Sequence, residues 1–121
     1  MILTDTSVWV DHLRKGDRAL AKLLDASRVL IHPVIVGELA LGVLHQRELI
    51  LETLQNLPSA VVASPVEVLH FIEAGALAGS GIGYVDAHLL AATKLTAGAR
   101  LWTRDKPLFG VAEQLGLAAS V

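Results

Sequence analysis

Short apolar runs of β-forming character alternate along this chain with longer segments that carry helix signals. The runs that resemble strands cover residues 1–5, 29–31, 60–62, 99–103 and 117–119. The segments between them predict helices over residues 7–15, 18–26, 33–45, 47–56, 64–79, 86–98 and 106–114. Parallel strands need such crossover segments to connect them. The alternation therefore predicts an α/β fold, with a mostly parallel central sheet of four or five short strands and helices on both faces.

Three helix beginnings carry specific signals. Pro33 suits the first turn of a helix, where its missing N–H is not needed. The run Ser64-Pro65-Val66-Glu67 has the spacing of a capping box, with proline at the first helical position. Asp86 is placed to cap a helix that Gly98 would stop. The preceding glycines, Gly79-x-Gly81-x-Gly83, match neither the dinucleotide fingerprint nor a P-loop and are interpreted as a flexible connection.

Composition limits the classes of protein that this chain can belong to. At 121 residues and 53% hydrophobic, it predicts a single domain over residues 1–121 with a substantial core. No uncharged apolar stretch reaches the roughly 18 residues of a membrane span, and the start lacks a signal-peptide pattern. With no cysteine, disulfides, thiolate zinc sites and a cysteine nucleophile are excluded. We expect a cytoplasmic protein that does not associate with membranes.

Four acidic residues occupy places where a carboxylate has little structural reason to be. Asp5 ends the first apolar run, Glu38 interrupts an apolar helix, Asp86 follows the glycine-rich connection, and Asp105 follows the run 99–103. An isolated buried carboxylate costs several kcal/mol unless it is paired, hydrogen-bonded or bound to a cation. In parallel sheets, ligands bind outside the carboxyl ends of the strands. Asp5 and Asp105 are predicted at that edge, where the two helical acids can approach them.

Convergent carboxylates favour a hard divalent cation. Clustered acids raise one another's pKa, and Mg²⁺ or Mn²⁺ relieves this because both prefer oxygen ligands. Such an ion polarises a phosphate oxygen and makes a coordinated water a better nucleophile. No histidine base is required. The chemistry that the four acids predict is hydrolysis of a phosphodiester bond.

Each acid also has an ordinary structural interpretation. Asp5, Asp86 and Asp105 are each placed to cap the helix that follows, and Asp105 can instead pair with a neighbouring base. Glu38 can form a buried salt bridge to an arginine. All four being structural at once is a much weaker interpretation than any one alone. The remaining acids are interpreted as solvated: Asp11, Asp17, Asp25, Glu48, Glu52, Glu67, Glu73 and Glu113.

Basic and aromatic residues leave further alternatives open. The net charge of −2 argues against a broad nucleic-acid-binding face. Two groups of basic residues are either a solvated helix face or a small phosphate-contacting rim beside the acids. They are Arg14, Lys15, Arg18, Lys22 and Arg28 early in the chain, and Arg104 and Lys106, which flank Asp105. Trp9 and Trp102 are interpreted as packing residues rather than base-stacking ones, and His88 as a packing or surface residue.

Three segments carry a resemblance to a known family. They are Ile2-Leu3-Thr4-Asp5-Thr6-Ser7, Val36-Gly37-Glu38-Leu39, and the stretch GYVDAHLLAATKLTAGARLWTRDK from Gly83 to Lys106. Together they resemble the PIN-domain nucleases, most closely the VapC-type toxins of prokaryotic toxin–antitoxin pairs. The resemblance implies that the metal-binding active site consists of Asp5, Glu38, Asp86 and Asp105. It also implies that nearby hydroxyls orient a carboxylate or a water: Thr6, Ser7 and Thr103.

The same resemblance implies an activity and a set of partners. VapC-type toxins cut RNA and leave a 5′-phosphate and a 3′-hydroxyl. They usually form homodimers, and a small cognate antitoxin blocks the active site with its C-terminal segment. The antitoxin typically carries the DNA-binding domain, so operator DNA would be bound only through the complex. The expected cofactor is Mg²⁺, with Mn²⁺ as a substitute, and the sequence does not identify the RNA that is cut.

Rival interpretations fit less well. A haloacid-dehalogenase-like phosphatase needs a second acid two positions after the first, and Ser7 occupies that place. A response-regulator receiver needs an acidic pair after its first strand, and the single Asp5 does not supply it. The alternative from another class is a catalytically inactive PIN-like module that binds protein or RNA. A degenerate module of that kind would be expected to lack one of the four acids, and this chain has all of them.

Overall fold

Three short parallel strands form the sheet of this computed structural model, which describes all 121 residues. The strands are β1 (Ile2–Thr4), β2 (Val29–Leu30) and β3 (Arg100–Trp102). Their order is β2-β1-β3, and Ile2 pairs with Val29 on one side and with Arg100 on the other. The central strand β1 therefore ends with neighbours on both sides, immediately before Asp5.

Seven helices surround this sheet: α1 (Thr6–Lys15), α2 (Arg18–Asp25), α3 (Pro33–Ala40), α4 (Arg47–Gln55), α5 (Pro65–Ala74), α6 (Tyr84–Leu95) and α7 (Lys106–Gln114). The connection from β1 to β2 and the connection from β2 to β3 run in opposite directions across the sheet. Right-handed crossovers then place their helices on opposite faces. The α/β class and the parallel sheet are therefore confirmed.

The predicted number of strands is wrong: the sheet has three strands rather than four or five. Residues 60–62 and 117–119 each lie beside an edge of the sheet, where only single parallel bridges form, Ile31 with Ser59 and Leu101 with Ala118. Val61 is exposed, and its N–H donates to the hydroxyl of Thr96 instead of to a strand. These segments follow the sheet edges without extending the ladder.

Several predicted helix ends also differ from the structure. Helix α3 ends at Ala40 rather than near residue 45, and Arg47 donates to the carbonyl oxygens of Ala40 and Gly42 at 2.6 and 3.3 Å. These carbonyls lie at the end of α3, so the arginine replaces the helical partners that they would otherwise lack. Helix α5 stops at Ala74 rather than near residue 79, and α6 stops at Leu95, before 98. The Ser64 capping box is present as predicted.

Nearly every element contributes to the core, and β1 and α6 are among its most deeply buried parts. All three residues of β1 are buried, as a strand covered on both faces requires. Helix α6 buries six of its residues: Ala87, Leu89, Leu90, Ala91, Ala92 and Thr93. Trp9 and Trp102 are both buried, which confirms that they pack. Because α6 is so deeply packed, its N-terminal end, with Asp86, is held in a defined place.

None of the helices has the length and apolar character needed to cross a bilayer.

Candidate active site

The carboxyl ends of the three strands bring together residues that are far apart in the sequence. Asp5 follows β1, Asp105 follows β3 after two residues, and His32 follows β2 after Ile31. The chain runs from β1 to one side of the sheet and later returns to the other side. In open α/β sheets, a crevice for ligands opens at such a point. The candidate site therefore lies at this edge of the sheet.

Asp5 is a buried carboxylate held by two hydroxyl groups. Its side chain is 6% exposed, and its Oδ2 accepts hydrogen bonds from Ser7 Oγ at 2.8 Å and Thr103 Oγ1 at 2.7 Å. Asp5 stands at the N-cap position of α1, but its side chain makes no capping hydrogen bond. The interpretation of Asp5 as a helix cap is therefore wrong, and its carboxylate is oriented by one hydroxyl close in the chain and one 98 residues away.

Glu38 reaches the same edge from helix α3. Its Oε1 accepts a 2.7 Å hydrogen bond from the hydroxyl of Thr6, at the start of α1. The residue is exposed, and no basic side chain pairs with it. The expectation that Glu38 is buried, and its alternative as a buried salt bridge, are therefore both wrong.

Asp86 and Asp105 do serve helix N-termini, each through one oxygen. Helix α6 begins at Tyr84, so Asp86 is its third residue rather than its cap, and its Oδ2 accepts the N–H of Gly83 at 3.2 Å. Asp105 is the N-cap of α7, and its Oδ2 accepts the N–H of Leu108 at 3.0 Å. The interpretation as an N-cap is therefore correct for Asp105 and wrong for Asp86, which binds the N-cap backbone from the third helical position. In both residues only one carboxylate oxygen is used in this way.

The four acids share one arrangement: one carboxylate oxygen is anchored and the other accepts no hydrogen bond. The unbonded atoms are Asp5 Oδ1, Glu38 Oε2, Asp86 Oδ1 and Asp105 Oδ1. The molecule has only two ion pairs, and both join Arg104 to other acids, Asp11 and Asp17. None of the four carboxylates is therefore neutralised by a basic side chain.

Asp86 experiences the negative charge of each of the other three acids. The pKa of Asp86 is raised above its ordinary value, first by partial burial and then by the negative charges of Asp5, Asp105 and Glu38. The hydrogen bond from Gly83 opposes this shift. All three other acids act on Asp86, which therefore lies within electrostatic range of each of them.

The side chains, as they lie, do not form a closed metal cage. No three His, Cys, Asp or Glu side chains gather closely enough to hold an ion. Unneutralised carboxylates repel one another, which favours such an open arrangement. The donor set nevertheless fits a hard divalent cation, because four carboxylates each offer a free oxygen and no basic side chain occupies the space between them. Binding would require these free oxygens to turn toward the ion.

Several positioning residues were missed or misassigned by the sequence analysis. His32 is buried and caps α3, the helix of Glu38, by accepting the N–H of Val34 through Nδ1 at 3.1 Å. Burial lowers the pKa of His32, which keeps the ring neutral and able to accept this bond. The sequence offered one signal for this role: His32 immediately precedes Pro33, the residue expected in the first turn of the helix. Asp11 and Asp17 were interpreted as solvated, yet both bind Arg104.

His88 has a packing role in the structure. Its ring lies edge-on to that of Tyr84, with 4.5 Å between the centroids. This contact agrees with the interpretation of His88 as a packing residue.

Residues 2–114 match the PIN domain family. The chain belongs to the PIN-domain family. Two curated relatives narrow the assignment, namely Ribonuclease VapC32 from Mycobacterium tuberculosis strain CDC 1551 / Oshkosh and from strain ATCC 25618 / H37Rv. Each is 46% identical over 118 residues, covering 98% of this chain and 95% of the relative. The expected resemblance to VapC-type PIN proteins is confirmed.

A solved structure supports the same fold. FitAcB from Neisseria gonorrhoeae matches with a TM-score of 0.65, covering 93% of this chain and 94% of that one. The sequence identity is 22%, so this likeness bears on the fold alone. The PIN domain fold agrees with the parallel sheet and the helix arrangement described above.

Proposed function

We propose that this PIN protein is the toxin of a type II toxin–antitoxin pair and hydrolyses RNA phosphodiester bonds as an endoribonuclease. The observation that carries the proposal is the set of four carboxylates with one free oxygen each and no basic partner. The relatives named Ribonuclease VapC32 support RNA as the substrate. The presence of all four acids argues against the inactive, binding-only alternative.

Mg²⁺ is the proposed cofactor, and Mn²⁺ would replace it. The proposed ligands are Asp5, Glu38, Asp86 and Asp105. When bound, such an ion supplies charge stabilisation at the phosphate and a more acidic water. Oxygen-only donors agree with this choice, because hard cations prefer carboxylate and water ligands.

The chain's own residues would orient these ligands. Ser7 and Thr103 both donate to Oδ2 of Asp5, which occupies that oxygen and leaves Oδ1 available. Thr6 does the same for Glu38 and thereby joins the start of α1 to the C-terminal half of α3. Backbone N–H groups hold Asp86 and Asp105. The protein therefore anchors one oxygen of each carboxylate before any ion or substrate arrives, and the free oxygens would turn toward the ion on binding.

An apolar groove is the proposed seat of the antitoxin. It has a volume of about 320 Å³ and lies between α1 and the segment that follows α3. Its apolar lining consists of Val10, Leu13, Leu39, Val43, Leu44 and Ile50. Val43 is 97% exposed, and the adjacent Leu41 is 91% exposed. Because α3 also carries Glu38, an apolar segment bound here would lie next to the active site, as an inhibitor requires.

A second copy of the chain is the proposed occupant of another apolar face. This face is formed by α5 and α6, and its exposed apolar residues are Val66, Leu69 and Leu95. A depression beside Phe71 and Ala91 lies within it. It is separate from the groove along α1, so a homodimer through α5 and α6 leaves the antitoxin site free.

Cleavage of RNA by the purified, partner-free protein tests the proposal. We expect discrete fragments in Mg²⁺ or Mn²⁺, none in EDTA, and a loss of at least about a hundredfold in rate for Asp86→Asn. This substitution removes charge but little volume. Asp25→Asn, at the far end of α2, is the matched control and should cut normally. A well-folded Asp86→Asn protein that retains full activity would contradict the proposal that these four acids form the active site.

A further inference from the structure

Arg104 lies beside the active site, yet its charge is directed elsewhere. It precedes Asp105, and its backbone N–H donates to Ser7 Oγ at 3.0 Å, the same hydroxyl that binds Asp5. Its guanidinium binds Asp11 through Nη1 at 2.6 Å and Asp17 through Nη2. The guanidinium carbon also lies 5.4 Å from the centre of the Trp102 ring.

This arrangement needs a physical reason, because the four nearby carboxylates have no cationic partner. An arginine side chain is long, and its guanidinium binds carboxylates through two nitrogens at once. Without other partners, attraction to several unneutralised acids would draw it into the site. There it would neutralise the charge that a divalent ion needs and would occupy the free oxygens.

Asp11 and Asp17 are well placed to prevent this. Asp11 comes from the middle of α1. Asp17 is held at the N-cap of α2, where its Oδ1 accepts the N–H of Leu20 at 2.9 Å and its own N–H donates to His12 Nδ1 at 3.0 Å. Asp17 is therefore held in place as a partner for Arg104: its Oδ1 caps α2, and its Oδ2 binds the guanidinium.

We propose that Asp11 and Asp17 restrain the Arg104 guanidinium outside the carboxylate site, so that it does not compete with the divalent cation. The inference rests on the proposed metal site and adds a regulator of its affinity. Asp11 and Asp17 thus act through Arg104, as positioning residues.

Mn²⁺ binding to the partner-free full chain, measured by isothermal titration calorimetry, tests the inference. We expect Asp11→Asn with Asp17→Asn to weaken Mn²⁺ binding by about tenfold, as other residues around metal ligands do. Asparagine at position 17 preserves the helix cap. Adding Arg104→Gln to this double variant should restore most of the lost affinity, because the freed cation is then absent.

Two controls separate this effect from charge and from folding. Asp25→Asn with Glu113→Gln removes the same charge from helix ends elsewhere and should leave the affinity unchanged. Adding Lys106→Gln instead of Arg104→Gln to the double variant should not restore it, although Lys106 is the other base beside Asp105. If the double variant does not fold, Asp11→Asn and Asp17→Asn are measured singly, because each releases one nitrogen of the guanidinium.

The outcomes distinguish this inference from the proposed function. A loss that persists after Arg104→Gln would mean that the ion pairs only support the fold, and the inference would be wrong. Equal affinity in wild type and double variant would also overturn it while leaving the metal site intact. A wild-type protein that binds no Mn²⁺ would overturn the inference and the proposed metal site together.

Discussion

Asp86 shows the conflict between stability and chemistry at the scale of a single residue. Its pKa is raised because burial and three neighbouring carboxylates disfavour its charged form. Only one of its oxygens is compensated, by the N–H of Gly83. The metal-free protein therefore bears a folding penalty for a carboxylate that the proposed reaction needs charged.

This penalty has a definite pH dependence. A carboxyl whose pKa is raised by folding destabilises the native state above that raised pKa, and the effect disappears below the value of 3.8 that the unfolded chain is expected to have. We predict that Asp86→Asn raises the melting temperature of the metal-free protein at neutral pH. The difference should vanish as the pH falls below 3.8. Thermal denaturation across this range in EDTA measures it.

Added Mn²⁺ should make wild type more stable than Asp86→Asn, the reverse of the order expected without metal. A ligand at about a hundred times its dissociation constant stabilises the folded state by about 2.7 kcal/mol. Wild type should gain this, and Asp86→Asn should gain less. An Asp86→Asn protein that is less stable than wild type in EDTA at neutral pH would contradict the account of the penalty.

At the scale of elements, helix ends decide where the site residues stand. The Ser64 hydroxyl accepts the N–H of Glu67 at 3.2 Å, and the Glu67 side chain accepts the N–H of Ser64 at 2.9 Å. This reciprocal pair was readable from the sequence because its partners are three residues apart. By contrast, α3 ends where Arg47 captures the carbonyls of Ala40 and Gly42, and a contact that spans a loop leaves no local pattern.

The capping box of α5 provides a prediction that separates stability from activity. Ser64→Ala removes one cap acceptor and should lower the free energy of unfolding by about 1 kcal/mol. Ribonuclease activity should not change, because α5 carries none of the four acids. Urea denaturation compares wild type, Ser64→Ala and Ser64→Thr, which keeps the hydroxyl. A variant with unchanged stability, or with reduced cleavage by the folded enzyme, would contradict the prediction.

At the scale of the whole molecule, two apolar surfaces are proposed for two different partners. The first is the groove that contains Val43. We predict that Val43→Lys keeps the RNA-cutting activity but abolishes binding of the cognate antitoxin, since a lysine would lie in an apolar interface. Cells that co-express this variant with the antitoxin should remain growth-inhibited, whereas cells with the wild-type pair should grow. Restored growth with Val43→Lys would argue against this groove.

The second surface is the face of α5 and α6. Leu69→Lys should convert a dimer to a monomer, because it places a charge among the exposed apolar residues of α5. Size-exclusion chromatography with light scattering gives the mass directly. The variants at Val43 and Leu69 serve as controls for each other, since each should impair one interaction only. A wild-type protein that is monomeric at high concentration would contradict the proposed dimer interface.

Local sequence patterns determined much of this protein. The alternation of apolar runs with helix signals was sufficient for the α/β class, and the capping box was sufficient for the start of α5. The four acids were found because each interrupts or ends a segment in which a carboxylate is unexpected. These features depend on neighbours within a few residues, and the sequence displays them directly.

Only the tertiary structure decided the rest. Two expected strands at the sheet edges became single bridges, because a strand exists only where its backbone finds a continuous partner. Glu38 proved to be exposed and bound to Thr6, 32 residues away in the chain. Arg104 turned from the nearby acids to Asp11 and Asp17, at separations of 93 and 87 residues. Contacts of this kind depend on how the chain returns to the same place, so no local pattern specifies them.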